Sequence, residues 1–432
     1  MKRIFLISLV STWLIGSLSS CEDSEQVQQA HVQCDADSGG LILPEGFCAL
    51  IVADHIPFLR HIAVNQNGDI YGSRRNRRLE RGGLVGIRDT DGDGKADLIE
   101  EITDQPGLGI KIYNGSLYFG AKQQILKYEL NNVDLIPDKP AEIVVDQFPD
   151  QKNHSGKTFT FDQNGQVYIN LGSPSNACQQ EELKAGSKGI DPCPQRDSQA
   201  AIWKFDGNKP GQKFPADGIK YASGIRNTYA LDWNLDNQQL YAVQHGRDGL
   251  RDLWPEIYQE QQGAELPAEE FLMINRNDDF GWPYCYYDPN KKRKVLAPEY
   301  GGDGEISGRC SDYKDPIHAF PAHYSPNDLL FYSGDQFPAE FHSGAFIAFH
   351  GSYNRGPYDQ VGYQIVYLPL KDGLPNGESI VFADGFSGSQ TIKTPSDAEF
   401  RPVGLAEGPD GSLYIADSVQ GRIWRVFYQE SR

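Results

Sequence analysis

The chain has 432 residues, a net charge of −19, and 23 % charged against 39 % hydrophobic residues. That is enough apolar length for one large core, while the strongly acidic balance argues against a nucleic-acid partner, whose phosphates need a basic surface. No stretch after the first 21 residues is long and apolar enough to span a bilayer as a helix.

Residues 1–21 read as a lipoprotein-type signal peptide. Lys2 and Arg3 form the positive end, Ile4 to Leu18 the apolar run, and Leu18-Ser19-Ser20-Cys21 resembles a bacterial lipobox. The expectation is an exported protein, periplasmic or in the cell envelope, lipid-anchored at Cys21. An ordinary signal peptide with Cys21 incidental is the alternative. Residues 22–40 are polar, lack periodicity and read as a flexible tether. Residues 41–430 form the globular part.

Phe47 to Val52 is a predicted strand that could complete the last unit of a ring. From there a strand–turn–strand pattern recurs. His61 to Gly72, Gly109 to Gly120, Thr158 to Leu171, Tyr229 to Val243 and Gly404 to Asp417 each pair apolar runs across a Gly- or Asn-bearing turn. A weaker sixth copy is Gly344 to His350 followed by Tyr363 to Leu368. Six hairpins, the first three spaced by roughly 50 residues, suit an all-β fold, a six-bladed β-propeller.

Residues 89–100 read Asp89-Thr-Asp91-Gly-Asp93-Gly94-Lys95-Ala-Asp97-Leu-Ile-Glu100. This matches the twelve-residue calcium loop, with oxygens from Asp89, Asp91, Asp93, the Lys95 carbonyl, Asp97 and Glu100, and Gly94 at the sharp turn. The flanks are strand-like, so a structural calcium site without helices is expected. An acidic solvated turn is the alternative.

In the hairpin over residues 153–178, His154 precedes the first strand and Gly172-Ser173-Pro174 follows the second. Antiparallel pairing brings the two points together at one rim. Beyond Cys21 six cysteines remain, falling as three neighbouring couples. Six allow fifteen pairings; the local ones, Cys34–Cys48, Cys178–Cys193 and Cys285–Cys310, are favoured in an exported chain. No Cys-x-x-Cys spacing suggests zinc. Residues 249–330 are too long for a blade connection and read as an insertion, with a short helix within Trp254 to Ile274. The aromatics around Trp282 could stack on a flat ligand or simply pack the insertion.

There is no Gly-x-Gly-x-x-Gly fingerprint, no Cys-x-x-Cys-His and no Gly-x-Ser-x-Gly elbow. What remains are polar groups at strand ends: His154, Arg226 with Asn227, His245-Gly246-Arg247-Asp248, the run from His350 to Arg355, and Arg401. In a propeller these converge on the channel mouth. Several arginines aimed at one place suggest a polyanion, and a histidine beside them can act as a base near neutral pH.

Taken together, His154-Ser-Gly-Lys-Thr-Phe, Gly224-Ile-Arg-Asn, Phe280-Gly-Trp-Pro, Gly334-Asp-Gln-Phe-Pro, His350-Gly-Ser-Tyr-Asn-Arg and the segment from Arg401 to Tyr414 resemble the glucose/sorbosone dehydrogenase family, closest to its L-sorbosone dehydrogenase-like branch. The resemblance covers nearly all of residues 45–428. It implies a six-bladed propeller that binds pyrroloquinoline quinone (PQQ), a tricarboxylate, together with Ca2+ in the channel mouth. It further implies oxidation of a small-molecule sugar or sugar aldehyde and an external electron acceptor. By the same resemblance His154 matches the general base and Arg226 and Asn227 match cofactor contacts. Gly246 and Arg247 supply carbonyls to the cofactor's calcium, Arg401 meets the cofactor carboxylates, and Gln105 falls near a family glutamine. Two positions depart from the pattern. Ser173 stands where an aspartate orients the histidine, and the loop from His350 to Arg355 replaces a cofactor-binding lysine. A non-catalytic propeller binding glycans or protein partners is the rival from another class; a calcium-using lactone hydrolase is a third.

Overall fold

The computed structural model describes Met1 and residues 32–76, 82–131, 133–389 and 391–429. The signal-peptide and Cys21 readings lie outside the described residues, as does most of the tether.

The compact unit from Val32 onward is a propeller of six antiparallel sheets. Blade 1 is Leu59–Val64, Ile70–Arg74, Gly83–Arg88 and Leu98–Thr103, from the channel outward. Blade 2 is Gly107–Tyr113, Ser116–Ala121, Ile125–Glu129 and Glu142–Asp146, with the short Gln212–Lys213 added at its edge. Blade 3 is Phe159–Phe161, Gln166–Leu171, Ala201–Asp206 and Ile219–Ser223. Blade 4 is Ala230–Asn234, Gln239–Gln244, Glu269–Ile274 and His318–Phe320. Blade 5 is Pro326–Phe331, Gly344–Phe349, Gln364–Lys371 and Ile380–Ala383. Blade 6 is Pro402–Glu407, Leu413–Asp417, Ile423–Tyr428 and, outermost, Phe47–Ala53. The first strands of successive blades pack on one another around the ring, the last against the first.

The predicted closing strand thus does close the ring, pairing Phe47 with Tyr428 through Ala53 with Ile423. Its chemistry explains the fit: Phe47 is wedged edge-on among Phe337, Phe341, Phe382 and Tyr428, with ring centroids 4.8–5.3 Å apart. Such edge-to-face contacts add to the area buried. The blade interfaces leave little room beside the channel. A Cβ at Gly109 would lie 2.2 Å from the Lys157 carbonyl oxygen and one at Gly120 only 2.0 Å from it, so the hairpin glycines of blade 2 admit the chain leading into blade 3.

Two expectations need correction. The sixth hairpin, Gly344 to His350 with Tyr363 to Leu368, is the second and third strands of blade 5, not the inner pair. Its inner strand is Pro326–Phe331, which begins at proline and carries Asn327 and Asp328, both buried, so it reads like a loop. Residues 249–330 are not one insertion. Glu269–Ile274 and His318–Phe320 belong to blade 4, and two separate excursions flank the former. Glu269 and Glu270, buried at the head of that strand, hide it from a hydrophobicity reading. The first excursion carries the helices Leu250–Leu253 and Glu260–Glu265; the second carries the hairpin Cys285–Asp288 with Arg293–Leu296.

All three favoured disulfides form: Cys34–Cys48, Cys178–Cys193 and Cys285–Cys310. The last two share one cluster with buried Trp282 and Tyr284, so these aromatics pack the excursions. Trp282 Nε1 donates to the Asn176 carbonyl (2.9 Å).

Candidate active site

The hairpin of blade 3 places the histidine. Phe159 pairs with Ile169 and Phe161 with Val167, which sets His154 beside Ser173. His154 Nδ1 lies 2.7 Å from the Ser173 carbonyl oxygen. A carbonyl can only accept, so Nδ1 carries the proton and Nε2 keeps its lone pair. His154 holds a left-handed backbone, φ 48°. That strain is offset by buried Gln151, whose amide nitrogen donates to the carbonyls of Asn153 (2.9 Å), His154 (3.1 Å) and Gly172 (3.0 Å). Gly172 is required here, since a Cβ would fall 2.6 Å from Asn227 Oδ1 and 2.7 Å from His154 Cβ. The Ser173 hydroxyl, 3.3 Å from Nδ1, donates instead to the Ser175 carbonyl (2.6 Å). The backbone of Ser173, not its side chain, therefore does the orienting.

His154 faces a cavity of about 470 Å³ at the channel mouth. Burial, then the Arg226 charge, lowers its pKa to about 3, although the Ser173 carbonyl pulls the other way. The imidazole is neutral across ordinary pH. Among the described residues the cavity lining includes Arg60, Arg75, Lys122 and Lys152 and no carboxylate, in a chain of net charge −19.

Arg60 stands out among these cations by its burial. It is 4 % exposed and donates from Nη2 to Asn327 Oδ1 (2.7 Å). Its Nε and Nη1 are buried without a partner among the described residues, an arrangement that costs free energy unless something accepts from them. Burial and the neighbouring Arg75 lower its pKa to about 9.

The sequence-predicted residues divide into three groups around this cavity. Arg226 is saturated by the protein except at Nε: Nη1 donates to the Gly246 carbonyl (3.0 Å), Nη2 to Asn176 Oδ1 (3.0 Å) and Asp248 Oδ2 (2.7 Å). Asp248 in turn accepts from Asn354 (2.5 Å). Burial, the largest single influence, pushes the Asp248 carboxyl up, but Arg226 and the neighbouring histidines together outweigh it and the net shift is down. Asn227 is buried and accepts from Asn170 (3.2 Å). Arg401 is held by backbone, donating from Nε to the His350 carbonyl (2.9 Å) and from Nη2 to that of Gly351. These three lie just before the inner strands of blades 4 and 6, and none of them lines the cavity of His154.

Arg247 and Gln105 turn their side chains elsewhere. The Arg247 guanidinium forms a buried ion pair with Glu299, which also accepts from Trp254 (2.9 Å). The Gln105 amide donates to Gln124 (3.4 Å). The Gly246 carbonyl, expected to face a calcium, is occupied by Arg226.

The acidic loop is remote in kind and place. It joins the third and fourth strands of blade 1. Oxygens of Asp89, Asp91 and Asp97 lie within 4.8 Å of one another. Asp89 accepts from the amides of Gly92 (2.7 Å) and Gly94 (2.8 Å), Asp93 from that of Lys95 (2.7 Å), and Asp97 from Thr90. Asp93 and Glu100 stand outside the group of three, and the Lys95 side chain reaches Asp35 (3.3 Å).

Sequence reasoning missed Arg60, Arg75, Lys122, Lys152, Gln151 and Tyr229. An Arg-His pair inside an inner strand, Arg60-His61, was the one legible signal, since that position faces the channel.

The TrAA12-like family model matches residues 41–429. An uncharacterised protein of Borreliella burgdorferi is 25 % identical over 340 residues, 76 % of this chain and 77 % of its own length. Among solved structures, the PQQ domain of a pyranose dehydrogenase from Coprinopsis cinerea superposes with TM-score 0.72 at 18 % identity, covering 90 % of this chain and 97 % of that one. A calcium structure of a Trichoderma reesei carbohydrate-active enzyme of family AA12 gives TM-score 0.73 at 18 % identity, with 90 % and 97 % covered. A PQQ-bound aldose sugar dehydrogenase from Streptomyces coelicolor gives 0.54 at 17 % identity, with 89 % and 99 % covered.

Proposed function

The chain belongs to the TrAA12-like family, and from that premise we propose that it is an exported, PQQ-dependent oxidoreductase of sugars or sugar aldehydes, sorbosone-like compounds included. The observation that carries this reading is the cavity beside His154: among the described residues it is lined by four cations and no carboxylate, and the buried Arg60 guanidinium has two nitrogens without a partner. That donor set fits a planar polycarboxylate. Arg60 and Arg75 would hold its carboxylates. Bound there, the quinone would supply the hydride acceptor. An accompanying calcium would have to share the Gly246 carbonyl with Arg226, so the quinone carries the proposal rather than the ion. A separate electron acceptor would reoxidise the protein. A structural calcium in the loop from Asp89 to Glu100 also belongs to the proposal.

The chain's own chemistry centres on Nε2 of His154. It presents a lone pair to the cavity, oriented through Nδ1, and would accept the proton of a sugar hydroxyl as the hydride leaves carbon. With a pKa near 3 and a neutral carbonyl in place of a carboxylate partner, it is a weak base. It therefore suits an easily oxidised substrate such as a hydrated aldehyde. An incoming anion would counter the Arg226 charge and raise that basicity.

His154→Ala tests the assignment. Dye-coupled turnover of the quinone-loaded protein should fall by about 100-fold or more, the usual worth of a positioned base, with the bound-quinone absorbance retained. Near-parental turnover on the best substrate would sink the base assignment. Full quinone independence would favour the glycan-binding or hydrolase reading.

A further inference from the structure

The rim of the His154 cavity carries more cationic groups than the buried ligand site uses. Arg60 is buried, whereas Arg75, Lys122 and Lys152 stand exposed. They come from consecutive parts of the ring. Arg75 follows the second strand of blade 1, Lys122 follows the second strand of blade 2, and Lys152 precedes the first strand of blade 3. Lys152 lies two residues before His154, on a loop that the Gln151 amide pins to three carbonyls. Its position relative to Nε2 is thus fixed at the backbone. Lys152 has no carboxylate partner among the described residues, and Lys122 meets Asp150 (2.5 Å) in a pair whose side chains are 49 % and 63 % exposed. An exposed pair of this kind holds its partner weakly and can exchange it. Pro106, Leu108 and Tyr229, which also line the cavity, offer no charge at ordinary pH.

This arc runs against the field of the whole chain, which at −19 repels anions. A cleft of opposite sign concentrates anionic ligands locally. With Arg60 and Arg75 assigned to the quinone carboxylates, the two lysines remain at the exposed rim of the cavity that His154 lines. We propose that the substrate is an acidic sugar, a uronate or an oligosaccharide ending in one, whose carboxylate is held by Lys122 and Lys152 while a hydroxyl faces Nε2 of His154. The inference rests on the oxidoreductase reading. In the reaction the hydroxyl proton goes to His154 and the hydride, with its electron pair, to the quinone; the sugar carbon is oxidised to the carbonyl level and the quinone reduced.

The test uses the full-length, quinone-loaded protein with galacturonate and glucuronate against galactose and glucose. At low salt the uronates should show a kcat/KM about tenfold higher, carried by KM, as two exposed charge contacts of ~0.5–1 kcal/mol each allow. Raising the salt to screening concentration should shrink the ratio toward one. Lys122→Gln with Lys152→Gln should bring it within about twofold of one, and Lys152→Glu should invert it. Calorimetric binding of galacturonate should weaken in parallel in the same variants. Equal or better use of the neutral sugars at low salt, or a preference that survives both lysine substitutions, would overturn the proposal. Failure to load quinone at all would instead remove the reading beneath it.

Discussion

The two ends of the propeller channel are built from opposite materials. At the His154 end the cavity is cationic, and buried polar atoms are left over: Nε and Nη1 of Arg60, Nε of Arg226 and Nδ1 of His245 have no partner among the described residues. At the other end a cavity of about 380 Å³ is lined by Asp162, Asp232, Asp236 and Glu407 with one lysine, Lys111. Here three carboxylates are saturated by the protein itself. Asp232 accepts from Lys111 (3.1 Å), Thr160 (3.0 Å) and the Phe331 amide (3.3 Å). Asp162 accepts from Tyr168 (3.2 Å) and two amides, and Glu407 from Ser333. Saturated carboxylates tie blades together, whereas orphaned donors await a ligand. The two ends differ in the sign of their charge and in how their charged groups are satisfied, although Trp233 Nε1 at the acidic end is also buried without a partner among the described residues.

The largest effect expected of this contrast is on pH dependence. His61, His154 and His245 are lowered to about 3 by burial and nearby arginines, and His350 well below its ordinary value by burial and Arg401. Each is neutral in the folded chain but takes a proton in the unfolded one below 6.5. Their contribution to stability is therefore present above about 6.5 and lost as pH falls toward 3. Asp328 and Glu269 behave oppositely. Burial raises both to about 7, so they destabilise as pH rises from the ordinary carboxylate range toward 7. Histidines outnumber carboxyls here, so net stability should fall on acidification from pH 6.5 to 4.5, by about 1.4 kcal/mol per pH unit for each net proton. Urea unfolding at both pH values reads it. Stability that rises on acidification would mean that the buried carboxyls dominate over the histidines.

Asp232→Asn comes next. Removing the charge breaks the Lys111 pair and should cost about 2 kcal/mol. Because the residue lies at the saturated end, quinone affinity should not change. Loss of quinone binding in a variant that still melts cooperatively would erase the distinction between the ends.

The smallest effect is expected at the acidic loop, which belongs to neither end. Asp91→Ala with Asp93→Ala should lower the melting temperature in calcium by a few degrees, consistent with about 1 kcal/mol in a large domain, and abolish its response to chelator. A double variant as chelator-sensitive as the parent would move any calcium elsewhere.

These ends were unequally legible in the sequence. Hairpins announced themselves because Gly and Asn turns punctuate apolar runs, as in Asn164-Gly165 and Asp410-Gly411. His154 was found because its hairpin register puts it beside Ser173. Blade 5's inner strand was hidden, because Asn327 and Asp328 are polar residues buried for the channel's sake. Arg60 and Lys122 escaped because each lies in or just beyond a strand whose pattern looks structural, and only ring closure brings them together. The turn of Arg247 toward Glu299 was invisible for the same reason: its partner lies 52 residues away in an excursion.

The central claim is that orphaned donors at one channel end hold a polycarboxylate quinone. Titrating purified apoprotein with PQQ, followed by absorbance and calorimetry, addresses it directly. The parent should bind one equivalent. Arg60→Met should bind ~10- to 100-fold more weakly, the worth of a charge-assisted contact, while its apoprotein melts no lower than the parent because a buried, partly unpartnered charge has gone. No binding by the parent, or equal binding by Arg60→Met, would contradict the account.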